Sequence, residues 1–127
     1  MEEQFLRTAM LLGENGVRRL QNARVAVFGL GGVGGYVVEA LCRAGIGALD
    51  LIDKDDVSLS NLNRQILATH ATVGMLKTQA AARRIAEINP NCLVREYPVF
   101  YLPETADEFD FTQYDYKVGG QAVLGRQ

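Results

Sequence analysis

Three glycines, Gly29, Gly31 and Gly34, stand in the spacing Gly-x-Gly-x-x-Gly between a β-rich run, Arg24–Phe28, and a stretch patterned as a helix. A loop so placed does phosphate chemistry. The first glycine permits a tight turn, the second lets backbone approach an anion, and the third lets the helix pack closely on the strand. The helix start then adds unspent N–H groups and the positive end of its dipole. Asp53 follows nineteen residues after Gly34, at the end of the next apolar run, where an acid can accept hydrogen bonds from ribose hydroxyls. A glycine turn used only for packing is the simpler alternative. The strand–loop–helix context and the acid favour nucleotide binding over it.

An extra glycine, Gly32, lies inside the motif, and "LSNLNRQ" runs from Leu59 to Gln65. Lys77 follows thirteen residues after Arg64 and opens the next helical stretch. Arg64 can grip phosphate with a planar fork, and Lys77 adds a mobile point charge. Two added cations suit a triphosphate better than the pyrophosphate of a dinucleotide. Each alone reads equally well as a solvated surface charge; the combination with the glycine loop and Asp53 gives them a purpose.

The elements that must hold these residues alternate. Residues Arg24–Phe28, Ala48–Ile52 and Cys92–Tyr97 read as strands; Val33–Ala44 and Lys77–Ile88 read as helices. Gly45 and Gly47 close the first helix and Asn89-Pro90 the second. Near-continuous apolar strands separated by helices indicate a parallel sheet with right-handed crossovers, an α/β doubly wound fold. Upstream, Phe5–Leu12 and Val17–Leu20 read as two short helices split at Gly13–Gly16, and Pro103–Phe109 as another short one. A fourth strand begins at Tyr114 and breaks at Lys117 and Gly119-Gly120. The expected organisation is therefore N-terminal helices over 1–22, a Rossmann-like nucleotide-binding domain over 23–116, and an atypical tail over 117–127 that reads as truncation or frameshift.

Composition sets the outer limits. The 127 residues are 48% hydrophobic with a formal net charge of -2, enough for one domain with a real core and without a global basic field. No apolar run matches a membrane span, and the start has no signal-peptide pattern. Cys42 and Cys92 form no CxxC, which fits a reduced, cytoplasmic setting and buried thiols. His70, the only histidine, sits in a polar stretch and reads as solvated.

"GLGGVG", "LIDKDDVSLSNLNRQ" and "TVGMLKTQAAARRIAEINPN" together resemble the ThiF/MoeB/HesA superfamily, the adenylating relatives of ubiquitin-activating enzymes. "FLRTAMLLGENGVRRL", "ATHATVG" and "FYLPETADEF" are most similar to its tRNA threonylcarbamoyladenosine dehydratase group. The resemblance runs from about Gln4 to Tyr116. It implies the N-terminal half of a ThiF-type fold, with ATP and Mg2+ as cofactors. Gly29, Gly31, Gly32 and Gly34 would form the phosphate loop and Asp53 would hold the ribose. Ser60, Asn61, Asn63 and Arg64 would line the nucleotide site, with Arg64 and Lys77 on the phosphates. Arg7 would reach into a partner's site, which implies a homodimer. The implied reaction is attack of an acyl carboxylate, in the dehydratase group that of threonylcarbamoyl-modified tRNA, on the α-phosphate of ATP. The carboxylate is already ionised near neutral pH, so no general base is needed, and the protein must align reactants and neutralise the leaving pyrophosphate.

The chain departs from the superfamily after the fourth strand. The superfamily continues there with an apolar run ending in an Asp that helps hold magnesium; here no Asp follows Asp115. The half that receives the acyl substrate is also missing. The expectation is a fragment without turnover of its own, with Arg64, Lys77 and Arg7 as the residues acting on phosphate and no metal ligands. Two other functions stay open on the sequence: an NAD-binding oxidoreductase domain, disfavoured by "NLNRQ" and Lys77, and a non-catalytic nucleotide-binding or dimerisation module.

Overall fold

The computed structural model describes residues 3–99, 110–119 and 122–126. Five strands form one sheet in the order β3-β2-β1-β4-β5. They are β1 (Arg24–Phe28), β2 (Ala48–Ile52), β3 (Leu93–Tyr97), β4 (Tyr116–Gly119) and β5 (Ala122–Arg126). The first four in space are mutually parallel, with Val27 opposite Leu51 on one side and Val118 on the other. Two helices, α2 (Gly32–Ala44) and α3 (Lys77–Ile88), connect them, and α1 (Leu6–Gln21) precedes β1. The order places β1 between strands reached in opposite directions, the switch point where open α/β sheets bind ligands beyond the strands' C-terminal ends.

All five β2 residues and four of the five in β1 are buried, as their apolar runs require of central parallel strands. Val25, Val27, Leu49 and Leu51 pack against Val38 and Cys42 of α2 and Ala81 and Ile85 of α3. The other face carries a smaller cluster of Ala26, Phe28, Ile52 and Tyr114. The first helix ends as its glycine foretold, with Gly45 left-handed at φ 106 and its N–H returned to Leu41. Glu39 of α2, buried to 9% exposure, accepts from Arg84 of α3 and from Arg43 at 2.5 Å, tying the two helices together. The Arg84 guanidinium holds the Glu39 carboxyl below its ordinary value against the opposing effect of burial.

Three features differ from the expectations. The N-terminal helices are split at Gly13 alone (φ 75, ψ 163), and Glu14, Asn15 and Gly16 belong to the second part. Arg18 adds support to that turn, bonding to Asn15 Oδ1 at 3.1 Å and to Glu14 at 3.3 Å. The third strand begins at Leu93, and the fourth at Tyr116. Tyr114 lies before the strand, buried against Phe111. The tail is not irregular throughout: β5 returns antiparallel to β4, with a register shift between Lys117 and Val118. The helix expected over Pro103–Phe109 lies outside the described residues.

One polar network crosses the sheet. Asp50, in the middle of β2 and 0% exposed, accepts from Arg24 Nη1 at 2.6 Å, Arg95 Nη2 at 2.6 Å and the Tyr114 hydroxyl at 2.6 Å. It thereby joins β1, β2, β3 and the segment leading into β4. Burial, then the hydrogen bond to Asp50, pushes the Tyr114 hydroxyl well above its ordinary pKa.

Candidate nucleotide site

The glycine loop leaves β1 through Gly29, whose φ of 94 makes the turn and whose N–H bonds to the Ile52 carbonyl at 2.7 Å. Helix α2 then starts so close to the strand that a methyl on Gly34 would lie 1.8 Å from the Gly29 carbonyl oxygen. The third glycine of the motif is required for packing, as its spacing suggested. The N–H groups at the start of α2 face the C-terminal end of the sheet, and a methyl on Gly32 would meet nothing within 4 Å.

Asp53 is buried, and both its oxygens are in use. Oδ2 accepts from the Leu30 N–H and Oδ1 from the Asp55 N–H, each at 2.7 Å. The residue expected to hold ribose therefore also anchors the glycine loop to β2. A carboxylate has about four acceptor positions, so each oxygen keeps one for a ligand hydroxyl.

The "LSNLNRQ" segment is not a plain loop. Leu59–Asn63 form a 3-10 turn closed by Asn61, whose Oδ1 accepts from the Ser58 N–H at 2.9 Å. Asn61 is buried and its carbonyl is spent on this turn. Ser60 and Asn63 are exposed; the Ser60 hydroxyl lies 3.2 Å from that of Ser58, and Asn63 Oδ1 accepts from Arg64 at 3.0 Å. The segment beyond the turn folds down on the start of α2. Gln65 lies against Gly31, and Ile66 and Leu67 against Gly35. Gly35 falls outside the phosphate motif, and sequence reasoning missed it; the only signal was a further glycine directly after Gly34.

Lys77 opens α3, and its backbone N–H bonds to the Asp55 carbonyl at 2.9 Å, two residues beyond Asp53. Lys77 is 7% exposed, and its ammonium has no hydrogen-bond or ion-pair partner among the described residues. Arg64 is exposed and bonds only to neutral oxygens of its own turn, and Arg7 is exposed on α1. Arg18, Arg24, Arg43, Arg83, Arg84 and Arg95 each pair with a carboxylate. Among the described residues Arg7, Arg64 and Lys77 do not, and neither does Arg19, which lines a separate groove of about 920 Å³ at the N-terminal end of the strands.

The structure thus gathers the glycine loop, Asp53, the 59–65 turn and Lys77 at one end of the sheet. It does not bring Arg7 to them within the chain. The matching family model, that of the ThiF family, covers residues 5–119. The chain belongs to the ThiF family. It is 44% identical over 124 residues to the tRNA threonylcarbamoyladenosine dehydratase of Bacillus subtilis (strain 168), covering 98% of this chain and 49% of that protein. It is 45% identical over 86 residues to the adenylyltransferase and sulfurtransferase MOCS3 of Drosophila virilis, covering 68% of this chain and 19% of that protein. The crystal structure of E. coli tRNA N6-threonylcarbamoyladenosine dehydratase, TcdA, in complex with ATP superposes with a TM-score of 0.90 at 39% identity. That match covers 98% of this chain and 51% of TcdA. The chain spans about half the length of the dehydratases it matches.

The remaining candidates fall as their surroundings dictate. Cys42 is fully buried, and burial holds the half-buried Cys92 thiol up at about 11, so neither is poised as a nucleophile. His70 is exposed. Asp115 sits before β4, where its Oδ2 accepts from the Arg24 N–H at 2.9 Å, at the opposite end of the strand from the glycine loop. Among the described residues no three His, Cys, Asp or Glu side chains group to hold a metal ion. No helix among them is long and apolar enough to cross a membrane.

Proposed function

We propose that this chain binds ATP and forms the nucleotide half of an enzyme that adenylates a carboxylate. The single observation that carries the reading is Lys77, which opens α3 with its backbone N–H on the Asp55 carbonyl and whose ammonium pairs with no carboxylate among the described residues. A cation left without a carboxylate beside a loop shaped for phosphate is placed to meet that anion. In this arrangement the start of α2 cradles phosphate and Asp53 accepts from ribose. Lys77 and Arg64 offset the charge of the outer phosphates as pyrophosphate leaves. The acyl group is that of the dehydratase relatives, a threonylcarbamoyl carboxylate on tRNA. Its activation is the work of a whole protein of their length rather than of these 127 residues alone.

The same reading makes the assembly a homodimer, with Arg7 supplied across the interface. Met10 and Leu11, one turn beyond Arg7, are 84% and 88% exposed, an apolar surface suited to a second copy.

Calorimetry with ATP, AMP and NAD tests the nucleotide. ATP should bind more tightly than NAD, and Lys77→Ala should weaken ATP by about 1.5–3 kcal/mol, the worth of a charge-assisted bond, with a much smaller effect on AMP. Tighter NAD binding would turn the site into that of an oxidoreductase. Equal losses for ATP and AMP would remove Lys77 from the outer phosphates. Light scattering on the same samples should give a dimer or larger; a monomer at all concentrations contradicts the placement of Arg7. For the acyl substrate, pyrophosphate release should depend on threonylcarbamoyl-modified tRNA in the whole protein. Release that ignores that tRNA assigns the carboxylate to another molecule.

A further inference from the structure

The second glycine of the motif has a neighbour that the motif does not explain. A methyl on Gly31 would lie 3.1 Å from Gln65 Nε2, 3.4 Å from its Cδ and 3.6 Å from its Oε1. All three carboxamide atoms are thus nearly equidistant from that position, so the amide lies face-on over Gly31. The residue is held there from both sides. Its backbone N–H bonds to the Asn61 carbonyl at 2.9 Å, and the next two residues pack on Gly35. Yet the half-buried carboxamide, with two donors and an acceptor oxygen, has no hydrogen-bond partner among the described residues. Gly31 is the residue that caps α2, and its carbonyl accepts the first helical bond, from Gly35 at 2.9 Å. The space in front of the next residue, Gly32, is open. A fixed, unspent amide therefore borders the place where the helix directs its free N–H groups.

We propose that Gln65 is a further phosphate-binding residue of this site, its side-chain N–H donated to the phosphate nearest the α2 N-terminus. The proposal rests on the nucleotide reading above and adds a donor from the 59–65 turn to those of the loop and of Lys77. It also gives the turn a reason to be folded onto the glycines: the contact with Gly31 keeps the Gln65 carboxamide beside the start of α2.

Gln65→Glu and Gln65→Met test it, measured in this chain by calorimetry with adenosine, AMP and ATP, alongside thermal melting. Both keep the length of the side chain and lose the N–H. Gln65→Met should weaken AMP and ATP about tenfold, with adenosine changed less than about twofold. Gln65→Glu should weaken both nucleotides further, because a carboxylate then faces phosphate. Equal losses for adenosine and AMP, or a lowered melting temperature that accounts for the loss, would show that Gln65 only props the loop and would overturn the proposal. Unchanged AMP and ATP binding in both variants overturns it while leaving the nucleotide reading intact. Wild-type chain that binds neither AMP nor ATP overturns both.

Discussion

Asp50→Ala is expected to remove about 3 kcal/mol of folding stability, the low end of what breaking a buried ion pair costs. The carboxylate is 0% exposed and serves three donors, so its loss strands Arg24, Arg95 and the Tyr114 hydroxyl together. The two arginines set the lower bound. Their side chains are 23% and 41% exposed, so each can swing partly into water once the acid is gone. Tyr114 cannot, being 2% exposed, and its hydroxyl stays buried without an acceptor. Tyr114→Phe should cost only about 1 kcal/mol, since Asp50 keeps both arginines. Small domains hold about 5–15 kcal/mol in all, so Asp50→Ala should show as a large fall in the urea midpoint. The surviving folded fraction should bind nucleotide normally, because the network lies across the sheet face and away from the glycine loop. A change below about 1 kcal/mol would mean that the arginines are already solvated and the network contributes little.

Asp50 also marks where the sequence stops being readable. In "ALDLI" it looks like a polar break in a buried strand, and nothing local says that Arg24, Arg95 and Tyr114 converge on it. Those partners lie 26, 45 and 64 residues away. By contrast, β1, β2 and α3 occupy the residues expected of them, because apolar runs and the Asn-Pro and glycine stops are local signals. The glycine loop and Asp53 are legible as a pair for the same reason: their spacing along one strand–helix–strand unit sets their spacing in space. What could not be read was how they are held. Asp53 spends its oxygens on the Leu30 and Asp55 N–H groups, Asn61 closes a turn on Ser58, and Gln65 lies on Gly31 because the segment beyond that turn folds back on α2. Composition does not encode that path. The break at Gly13 alone is hidden because "GENG" presents two equal glycines, of which only the first leaves the helical conformation.

Gly34→Ala should be the most damaging single change to the site. Its methyl would fall 1.8 Å from the Gly29 carbonyl oxygen and 2.9 Å from the Gly29 carbonyl carbon, distances no real contact shows. The obstacle is backbone, so a side-chain rotation cannot relieve it. Either α2 moves outward or Gly29 moves, and Gly29 is bound to Ile52 at 2.7 Å while its neighbour Leu30 is bound to Asp53. Both responses spread the N–H groups that phosphate needs. The expected result is a loss of ATP affinity greater than about 100-fold, with a stability loss of about 1–3 kcal/mol from overpacking. Gly32→Ala supplies the contrast. Its methyl meets nothing within 4 Å, and the residue is the first of α2, so folding stability should hold within about 0.5 kcal/mol. Any ATP affinity it loses must then come from the ligand side, where the methyl points into the open space before the helix. Calorimetry and denaturation on both variants separate the cases. If Gly34→Ala binds ATP like the wild type, phosphate does not sit at the start of α2. If Gly32→Ala melts early while Gly34→Ala does not, the packing assigned to these two glycines is reversed.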